Sequence, residues 1–147
     1  MNRSAVHGLE AAEEYIHSAL AWDPDAGTCS FAIDVDGRAA GNAGLSHMDY
    51  RHRTAWLSYW IASDCRGLGL AGRAAAGAAE ELNLFRIELG HRVNNPASCA
   101  VAKRAGFLPE GIERSKLEYG GLRFDVETHA RLATDPVPAL DLPTTKL

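Results

Sequence analysis

One segment constrains the fold of this chain more than any other: Arg66-Gly67-Leu68-Gly69-Leu70-Ala71-Gly72. It follows an apolar, strand-like stretch (55–62) and opens an alanine-rich helix, which makes it a strand-to-helix turn. The first backbone N–H groups of a helix have no intrahelical acceptor, and glycines let an anion approach them without an intervening side chain. Arg66 adds a charge-assisted contact from the side. The segment therefore predicts a site for a phosphate-bearing cofactor.

The same glycines also fit a second pattern. Gly67, Gly69 and Gly72 have the G-x-G-x-x-G spacing of dinucleotide-binding folds, and Glu88 lies at about the right distance downstream. Such a fold needs further βαβ units in a parallel sheet. Here the chain before the turn reads as antiparallel strands, and the chain after it offers only one more helix. The dinucleotide interpretation is therefore the weaker one.

Hydrophobic periodicity and turn residues predict the element order α-β-β-β-α-β-α-β-β. A first helix is expected over 9–21. The turn dipeptides Asp36-Gly37 and Gly120-Gly121 indicate two hairpins. Pro96 stands near the first turn of a helix that Gly106 ends. The remaining predictions are strands over 28–35, 38–46, 54–62, 85–93, 111–118 and 122–132, and a helix over 69–84.

Composition limits the classes of protein to which this chain can belong. It has 147 residues, 46% of them hydrophobic and 23% charged, which suits one domain with a substantial core. We expect that domain over 1–133. Residues 134–147 are predicted to be a flexible tail, because they contain prolines and threonines and have no periodic pattern of apolar residues. The net charge of −4 argues against nucleic acid as a partner.

The start of the chain and the cysteines bear on location and metal binding. Glu10, Glu13 and Glu14 interrupt the only early apolar stretch, so neither a signal peptide nor a membrane span is expected and the protein is predicted to be cytoplasmic. The cysteines are far apart and lack C-x-x-C spacing. We therefore expect free thiols and no metal site. The three cysteines are Cys29, Cys65 and Cys99.

Taken together, the turn and a second motif resemble the GNAT superfamily of N-acetyltransferases. The acyl-CoA motif of that family is met by Arg66, Gly69 and Ala71. The second motif is similar to that of the branch that includes the ribosomal-protein N-terminal acetyltransferases. The whole resemblance covers about residues 28–132. Its segments are Phe85-Arg86-Ile87-Glu88, Asn95-Pro96-Ala97-Ser98, Val101-Ala102-Lys103-Arg104-Ala105-Gly106-Phe107 and Glu110-Gly111.

The resemblance implies an α/β fold of the GNAT type. Its central sheet is mixed and mostly antiparallel, is flanked by helices, and has a V-shaped splay between the strands 54–62 and 85–93. Members of this branch usually carry an extra strand and helix at the front. This chain begins close to the first helix predicted here, so we expect the first strand of the family to be missing.

The resemblance also implies acetyl-CoA as the acyl donor, without a metal. The backbone amides of the turn, Gly67 to Gly72, would hold the pyrophosphate, and the pantetheine arm would run between the splayed strands past Tyr59, Trp60 and Ile61. Asn95 would hydrogen-bond that arm, and Ser98 would protonate the departing thiolate. The alternative for Asn95 and Ser98 is ordinary helix capping, which is worth about 1 kcal/mol.

A general base is harder to identify. Many GNAT members place a glutamate on the strand before the turn, but Ala55-Trp56-Leu57-Ser58 contains none, and Ala102 stands where other branches have a tyrosine. Glu88, His91 and His47 are the candidates, against structural roles for each of them. An arginine such as Arg86 or Arg92 would pair with Glu88. Attack with water carrying the proton away would need no dedicated base.

The resemblance fixes the donor better than the acceptor. The acceptor is expected to be a primary amine, on a small molecule or at a protein N-terminus. Acidic residues at the cleft, if Asp49, Asp64 or Glu118 lie there, would favour a cationic amine. The alternatives are a donor on the phosphopantetheine of an acyl carrier protein and a non-catalytic acyl-CoA-binding or partner-binding module. A homodimer is a further alternative, for which the sequence gives no positive signal.

Cys99 adjoins Ser98 and raises a ping-pong alternative. A thioester on Cys99 would need a thiolate activated by a neighbouring base or a positive field. On an alanine-rich helix, a small buried apolar role is the simpler interpretation. Direct transfer in a ternary complex is therefore predicted.

Overall fold

The structure, a computed structural model, describes residue 23 and residues 25–139. These residues contain six strands and two α-helices. The strands are β1 Cys29–Val35, β2 Arg38–Asp49, β3 Thr54–Ile61, β4 Arg86–Arg92, β5 Leu108–Tyr119 and β6 Leu122–Leu132. The helices are α1 Leu70–Glu81 and α2 Pro96–Arg104, and a short 3₁₀ turn, Ser63–Cys65, precedes α1.

All six strands form one sheet in the order β1-β2-β3-β4-β6-β5. Four of the five neighbouring pairs are antiparallel, and only β3 and β4 run parallel. The predicted fold class, a mixed and mostly antiparallel α/β sheet with flanking helices, is confirmed. A dinucleotide-binding fold would need a parallel sheet, so that alternative is excluded.

Local signals set most of the element ends. Asp36 and Gly37 both have positive φ, 54° and 79°, as the hairpin between β1 and β2 requires. Helix α1 ends three residues before the predicted Leu84 because Asn83 takes a left-handed φ of 52°. The side chain of Arg53 donates to the carbonyl oxygen of Asn83 at 2.8 Å and fixes this end of the helix.

The core lies between α1 and one face of the sheet, which we call the helix-side face. Helix α1 presents its alanines, Ala71, Ala75, Ala78 and Ala79 among them, to that face. Because side chains alternate along a strand, Ile87 and Leu89 point into this core, whereas Glu88 and Gly90 belong to the opposite face. Phe107 is fully buried directly after α2.

The chain beyond β6 has contacts with the domain. A terminal nitrogen of Arg131 donates to the carbonyl oxygens of Asp135 at 3.3 Å and Pro136 at 3.1 Å. Pro138 approaches Gly72 and Gly106, so that a Cβ at either glycine would lie 3.1 Å from Pro138 Cγ. These contacts join residues 135–138 to β6, to α1 and to the turn that follows α2.

The predicted first helix over 9–21 and the front of the chain lie outside the described residues. Within 25–139, neither helix has the length and apolarity that a membrane span requires. The three cysteines are free, as predicted.

Candidate functional site

Strands β3 and β4 part soon after they meet. Their parallel pairing covers three residue pairs, from Thr54 with Arg86 to Trp56 with Glu88, although β3 continues to Ile61 and β4 to Arg92. Beyond Trp56 the facing backbone groups of the two strands have no cross-strand partner. A cleft of about 660 Å³ opens there, between the splayed strands and the starts of α1 and α2. The predicted V-shaped splay is therefore present.

The glycine turn forms one end of this cleft. Gly67 and Gly69 both have φ of 79°, in the left-handed region, and Gly69 is the N-cap of α1 with no side chain capping it. The first amides of the helix therefore have no intrahelical acceptor, and they carry the positive end of the helix dipole. This geometry suits an anion, and phosphate binding at the turn stays a prediction.

Residues of the turn differ in what they do. Gly67, Gly69, Leu70, Ala71 and Gly72 line the cleft, whereas Leu68 is half-buried against the core. Gly72 also has a packing role, because a Cβ there would lie 3.0 Å from the Cα of Ala105, which caps the end of α2.

Two arginines add positive charge at the same end. The Nε of Arg66 donates to the carbonyl oxygen of Ile61 at 3.0 Å, which holds this guanidinium where β3 ends. Arg104 comes from α2, and its Nη1 would lie 3.7 Å from a Cβ on Gly67. Both side chains line the cleft. The turn and the two arginines therefore form a cationic end suited to phosphate groups.

Asn95 and Ser98 lie together at the start of α2 and line the cleft. The Oδ1 of Asn95 accepts from the backbone N–H of Ser98 at 3.1 Å, so Asn95 does cap the helix. This bond uses only the oxygen of the amide and the backbone of Ser98. The Nδ2 group of Asn95 and the hydroxyl of Ser98 have no hydrogen-bond partner among residues 25–139, so capping leaves both groups open to a ligand.

Tyr59, Trp60 and Ile61 line the cleft from β3. Burial raises the pKa of Tyr59 to about 12, which keeps its hydroxyl protonated at physiological pH. Trp60 is 49% exposed, whereas Tyr59 packs against the core. Trp56, at the closed end of the V, stands on the opposite face of the sheet from α1.

The three candidate bases are placed very differently. Glu88 is not among the residues lining the cleft: it lies in the closed end of the V, and Arg86 Nε donates to its Oε1 at 2.6 Å. The sequence offered Arg86 and Arg92 as partners of Glu88 in the structural alternative, and the structure pairs Glu88 with Arg86. His47 is exposed at a bulge of β2 and does not line the cleft either.

His91 does line the cleft, but both of its ring nitrogens have partners. Its Nδ1 lies 3.0 Å from the carbonyl oxygen of Arg92, and its Nε2 lies 3.0 Å from Nε2 of His129. The ring is thus held by its neighbours and has no nitrogen free toward an incoming amine.

The charge of the cleft was not predicted. No carboxylate lines it within the described part of the chain, whereas four cationic side chains do: Arg66, Arg92, Arg104 and Lys116. Asp49, Asp64 and Glu118, the acidic residues considered from the sequence, do not line it. Asp64 pairs with Arg38 at 2.6 Å, and Glu118 pairs with Arg123 at 2.7 Å.

Arg92 and Lys116 lie toward the opposite face. Arg92 is stacked over the rings of Tyr119 and Phe124, at 5.4 and 4.9 Å from their centroids. Lys116 lies 5.1 Å from the Trp56 ring and is also paired with Glu113. Cationic side chains therefore stand at both rims of the cleft, although Glu113 offsets the charge of Lys116.

Sequence reasoning missed a cluster around His91. Cys99 from α2 and Glu127 and His129 from β6 converge on it. Glu127 and His129 are two residues apart on one strand, so their side chains lie on the same face of the sheet. That spacing could have indicated two of the four residues from the sequence. Cys99 is half-buried, and its thiol donates to Glu127 at 3.4 Å, so the expectation of a simple buried apolar residue is corrected.

Comparison with known proteins gives consistent results. The acetyltransferase (GNAT) domain family matches residues 3–108. YdaF of Bacillus subtilis (strain 168) is 36% identical over 101 residues, which cover 66% of this chain and 55% of YdaF. The ribosomal-protein-serine acetyltransferase of Escherichia coli (strain K12) is 27% identical over 106 residues, 69% of this chain and 59% of that protein.

Among solved structures, Mycobacterium smegmatis RimJ in complex with CoA-disulfide is similar, with a TM-score of 0.74 and 28% identity. The match covers 90% of this chain and 66% of RimJ. This chain therefore spans between half and two thirds of the length of these three proteins.

Proposed function

Because this chain belongs to the GNAT acetyltransferase family, we propose that it transfers an acetyl group from acetyl-CoA to a primary amine. The observation that carries this proposal is the cleft itself. It lies between two strands that part after three residue pairs, and it ends at a glycine turn whose helix-start amides have no intrahelical acceptor. This arrangement fits a ligand that has phosphates at one end and amide groups along the extended chain that is attached to them.

In the proposed complex, the amides of Gly67 to Gly72 hold the pyrophosphate, and Arg66 and Arg104 neutralise its charge. The pantetheine arm lies between β3 and β4, where backbone groups beyond Trp56 have no cross-strand partner and can pair with its amides as an added strand would. The free Nδ2 group of Asn95 donates to a carbonyl oxygen of the arm. Tyr59, Trp60 and Ile61 form the wall on the β3 side.

The reaction proceeds by direct attack in the ternary complex. The lone pair of the neutral amine forms the new N–C bond at the thioester carbonyl, and the C–S bond then breaks. The amine nitrogen gives up a proton to water, and the departing thiolate takes a proton from the Ser98 hydroxyl, which is restored from solvent. Ser98 suits this role because its hydroxyl has no partner among residues 25–139.

Water is the proposed proton acceptor because no residue in the described part of the cleft is placed as a base. Glu88 is paired with Arg86 outside the cleft, and both ring nitrogens of His91 have partners. A base would help most if it stood within hydrogen-bond reach of the amine, directly or through one water. Because the described part of the cleft places no such base, the rate of the proposed reaction depends on the fraction of the amine that is already neutral.

The acceptor is proposed to be an amine that carries negative charge nearby. The cleft rim on the opposite face presents Arg92 and Lys116, and no carboxylate among the described residues lines it. Such a rim attracts carboxylates and repels polyamines. A protein N-terminus followed by acidic residues fits this requirement, and the Escherichia coli relative is named as an acetyltransferase of serine in a ribosomal protein. A small amine bearing a carboxylate fits it as well.

The test is release of CoA thiol by the purified full chain, measured with acetyl-CoA and a matched set of acceptors. The set comprises a peptide beginning Ser-Glu-Asp, a peptide of the same length beginning Ser-Lys-Arg, an amino acid ester, and the polyamine spermidine. We expect the acidic peptide to give the highest kcat/KM. Faster turnover of spermidine would refute the acceptor assignment but not the acetyl transfer.

Native mass spectrometry with acetyl-CoA separates the remaining outcomes. Binding without transfer to any amine would refute the enzymatic proposal and favour a binding module. Failure to bind any CoA species would refute the donor assignment, and acetylated phosphopantetheine on a carrier protein would then be the donor to measure.

A further inference from the structure

Four side chains with metal-ligating atoms converge beside the cleft, on the helix-side face of the sheet. We call them the His91 cluster: His91 on β4, Cys99 on α2, and Glu127 and His129 on β6. Their nearest ligand atoms all lie within 4.8 Å of one another. The proposed acetyl transfer uses none of the four, so the cluster needs a separate explanation.

The distances suit four ligands around one ion. His91 Nε2 and His129 Nε2 are 3.0 Å apart, and Glu127 Oε2 lies 3.3 Å from the first and 3.0 Å from the second. Cys99 Sγ lies 3.4 Å from the same oxygen. In a tetrahedral zinc site with ligand bonds of about 2.0 to 2.3 Å, neighbouring ligand atoms are about 3.3 to 3.6 Å apart. Outward movements of a few tenths of an ångström by the histidines and Glu127, and an inward movement of about 1 Å by Cys99 Sγ toward the histidines, would admit the ion.

Backbone contacts orient both imidazole rings for this role. His91 Nδ1 lies 3.0 Å from the carbonyl oxygen of Arg92, and His129 Nδ1 lies 3.5 Å from that of Phe107. A carbonyl oxygen only accepts, so in each neutral ring the proton belongs on Nδ1 and the lone pair on Nε2. The two lone pairs then face each other and a carboxylate oxygen, and a cation between them removes the repulsion. Metal-binding histidines are commonly oriented in this way.

Burial and charge agree with the geometry. The side chains of His91 and His129 are 7% and 0% exposed, and that of Glu127 is 26% exposed. With Cys99 as a thiolate and Glu127 as a carboxylate, two neutral histidines complete a set whose charge of −2 balances a divalent ion. Buried charges are tolerated when they are paired or bind a metal.

We propose that the His91 cluster binds one zinc ion in a closed, four-coordinate site. The nitrogen, sulfur and oxygen ligands suit zinc, and a site with four protein ligands has a structural role. The ion would join α2 to β4 and β6. Cys99 directly follows Ser98 and lies four residues after Asn95, so zinc would fix the helix turn that carries both cleft residues. This proposal does not depend on the identity of the acyl acceptor or on catalysis.

The first test is zinc stoichiometry in the full chain, with any purification tag removed. The protein is stripped with a chelator, mixed with one equivalent of Zn²⁺, dialysed and measured by inductively coupled plasma mass spectrometry. We expect about one zinc per chain in the wild type and at least a tenfold loss in Cys99→Ser and His129→Gln. Cys65→Ser and His47→Gln change the same residue types outside the cluster and should retain the metal.

The second test uses Co²⁺ and the wild type alone, so it does not depend on the folding of any variant. Tetrahedral cobalt with one thiolate gives intense visible bands and a thiolate charge-transfer band. Zinc added afterwards should remove both. If the wild type retains no zinc and cobalt gives only the pale spectrum of the hydrated ion, the proposal is overturned. Hydrogen bonds with shared protons then hold the four side chains of the cluster together.

Discussion

The indole of Trp56 lies over Gly90, at the point where β3 and β4 part. A Cβ on Gly90 would lie 3.0 Å from Trp56 Cη2 and 2.8 Å from Val126 Cγ1. The ring therefore occupies the space that a side chain on β4 would otherwise fill. Trp56 comes from the last residue pair of the parallel ladder, so this contact closes the narrow end of the cleft.

Gly90→Ala should therefore be destabilising. Its methyl group overpacks against Trp56 and Val126, and we expect a loss of about 1 to 3 kcal/mol in the free energy of unfolding, together with a higher KM for acetyl-CoA as the strands shift. Urea denaturation and steady-state kinetics measure the two effects. Gly77→Ala is the matched control: nothing lies within 4 Å of its Cβ position on α1, so it should stabilise by about 0.5 to 1 kcal/mol. Equal effects of the two substitutions would contradict this interpretation.

Two substitutions of Asn95 should separate its two roles. Asn95→Asp keeps an oxygen that caps the amide of Ser98 but loses the Nδ2 donor, so stability should stay near that of the wild type while acetyl-CoA affinity falls about fivefold. Asn95→Ala should lose about 1 kcal/mol of stability as well. Thermal denaturation and calorimetric titration with acetyl-CoA distinguish them. Unchanged affinity in both variants would restrict Asn95 to capping.

Arg92→Met should weaken use of anionic acceptors. The change removes the charge but keeps much of the packing over Tyr119 and Phe124. One charge-assisted contact is worth about 1.5 to 3 kcal/mol, so kcat/KM for the acidic peptide should fall at least tenfold, with little change for a neutral amine. Arg123→Met, at an exposed pair with Glu118 outside the cleft, is the control. A uniform loss across acceptors would indicate damage to the fold instead.

The contact between Arg86 and Glu110 predicts a pH dependence of stability. Arg86 donates to both carboxylate oxygens of Glu110, and this hydrogen bonding holds the pKa of Glu110 below its ordinary value. A carboxyl group whose pKa is lower in the folded state stabilises above its unfolded-state pKa, and the contribution is lost as pH falls through the folded-state pKa. The wild type should therefore exceed Glu110→Gln in stability near pH 7, and the difference should shrink below about pH 4.5.

The size of that effect is modest because the Glu110 side chain is 45% exposed. We expect roughly 0.5 to 1 kcal/mol at neutral pH, measured by urea denaturation across the pH range. Glu80→Gln is the control, since Glu80 is exposed on α1 and has no ion pair among residues 25–139. A difference that grows toward acid pH would contradict the assignment.

The sequence by itself determined the features that depend on near neighbours. Glycines with positive φ, the asparagine cap of α2 and the turn dipeptides act within a few residues, so the order of the described elements and the position of the glycine turn were predictable. The family motifs then placed Asn95 and Ser98 beside that turn, and the structure puts them at the same cleft.

Tertiary structure decided what depends on contacts between distant elements. Where β3 and β4 part is set by packing around Trp56 and Gly90, and the pairing of Glu88 with Arg86 depends on which face of β4 each side chain takes. The basic lining of the cleft and the His91 cluster join residues from separate strands and helices, with no fixed spacing along the chain. The burial and the charge of these residues depend on the assembled sheet, because no single segment of the chain contains all the groups that surround them.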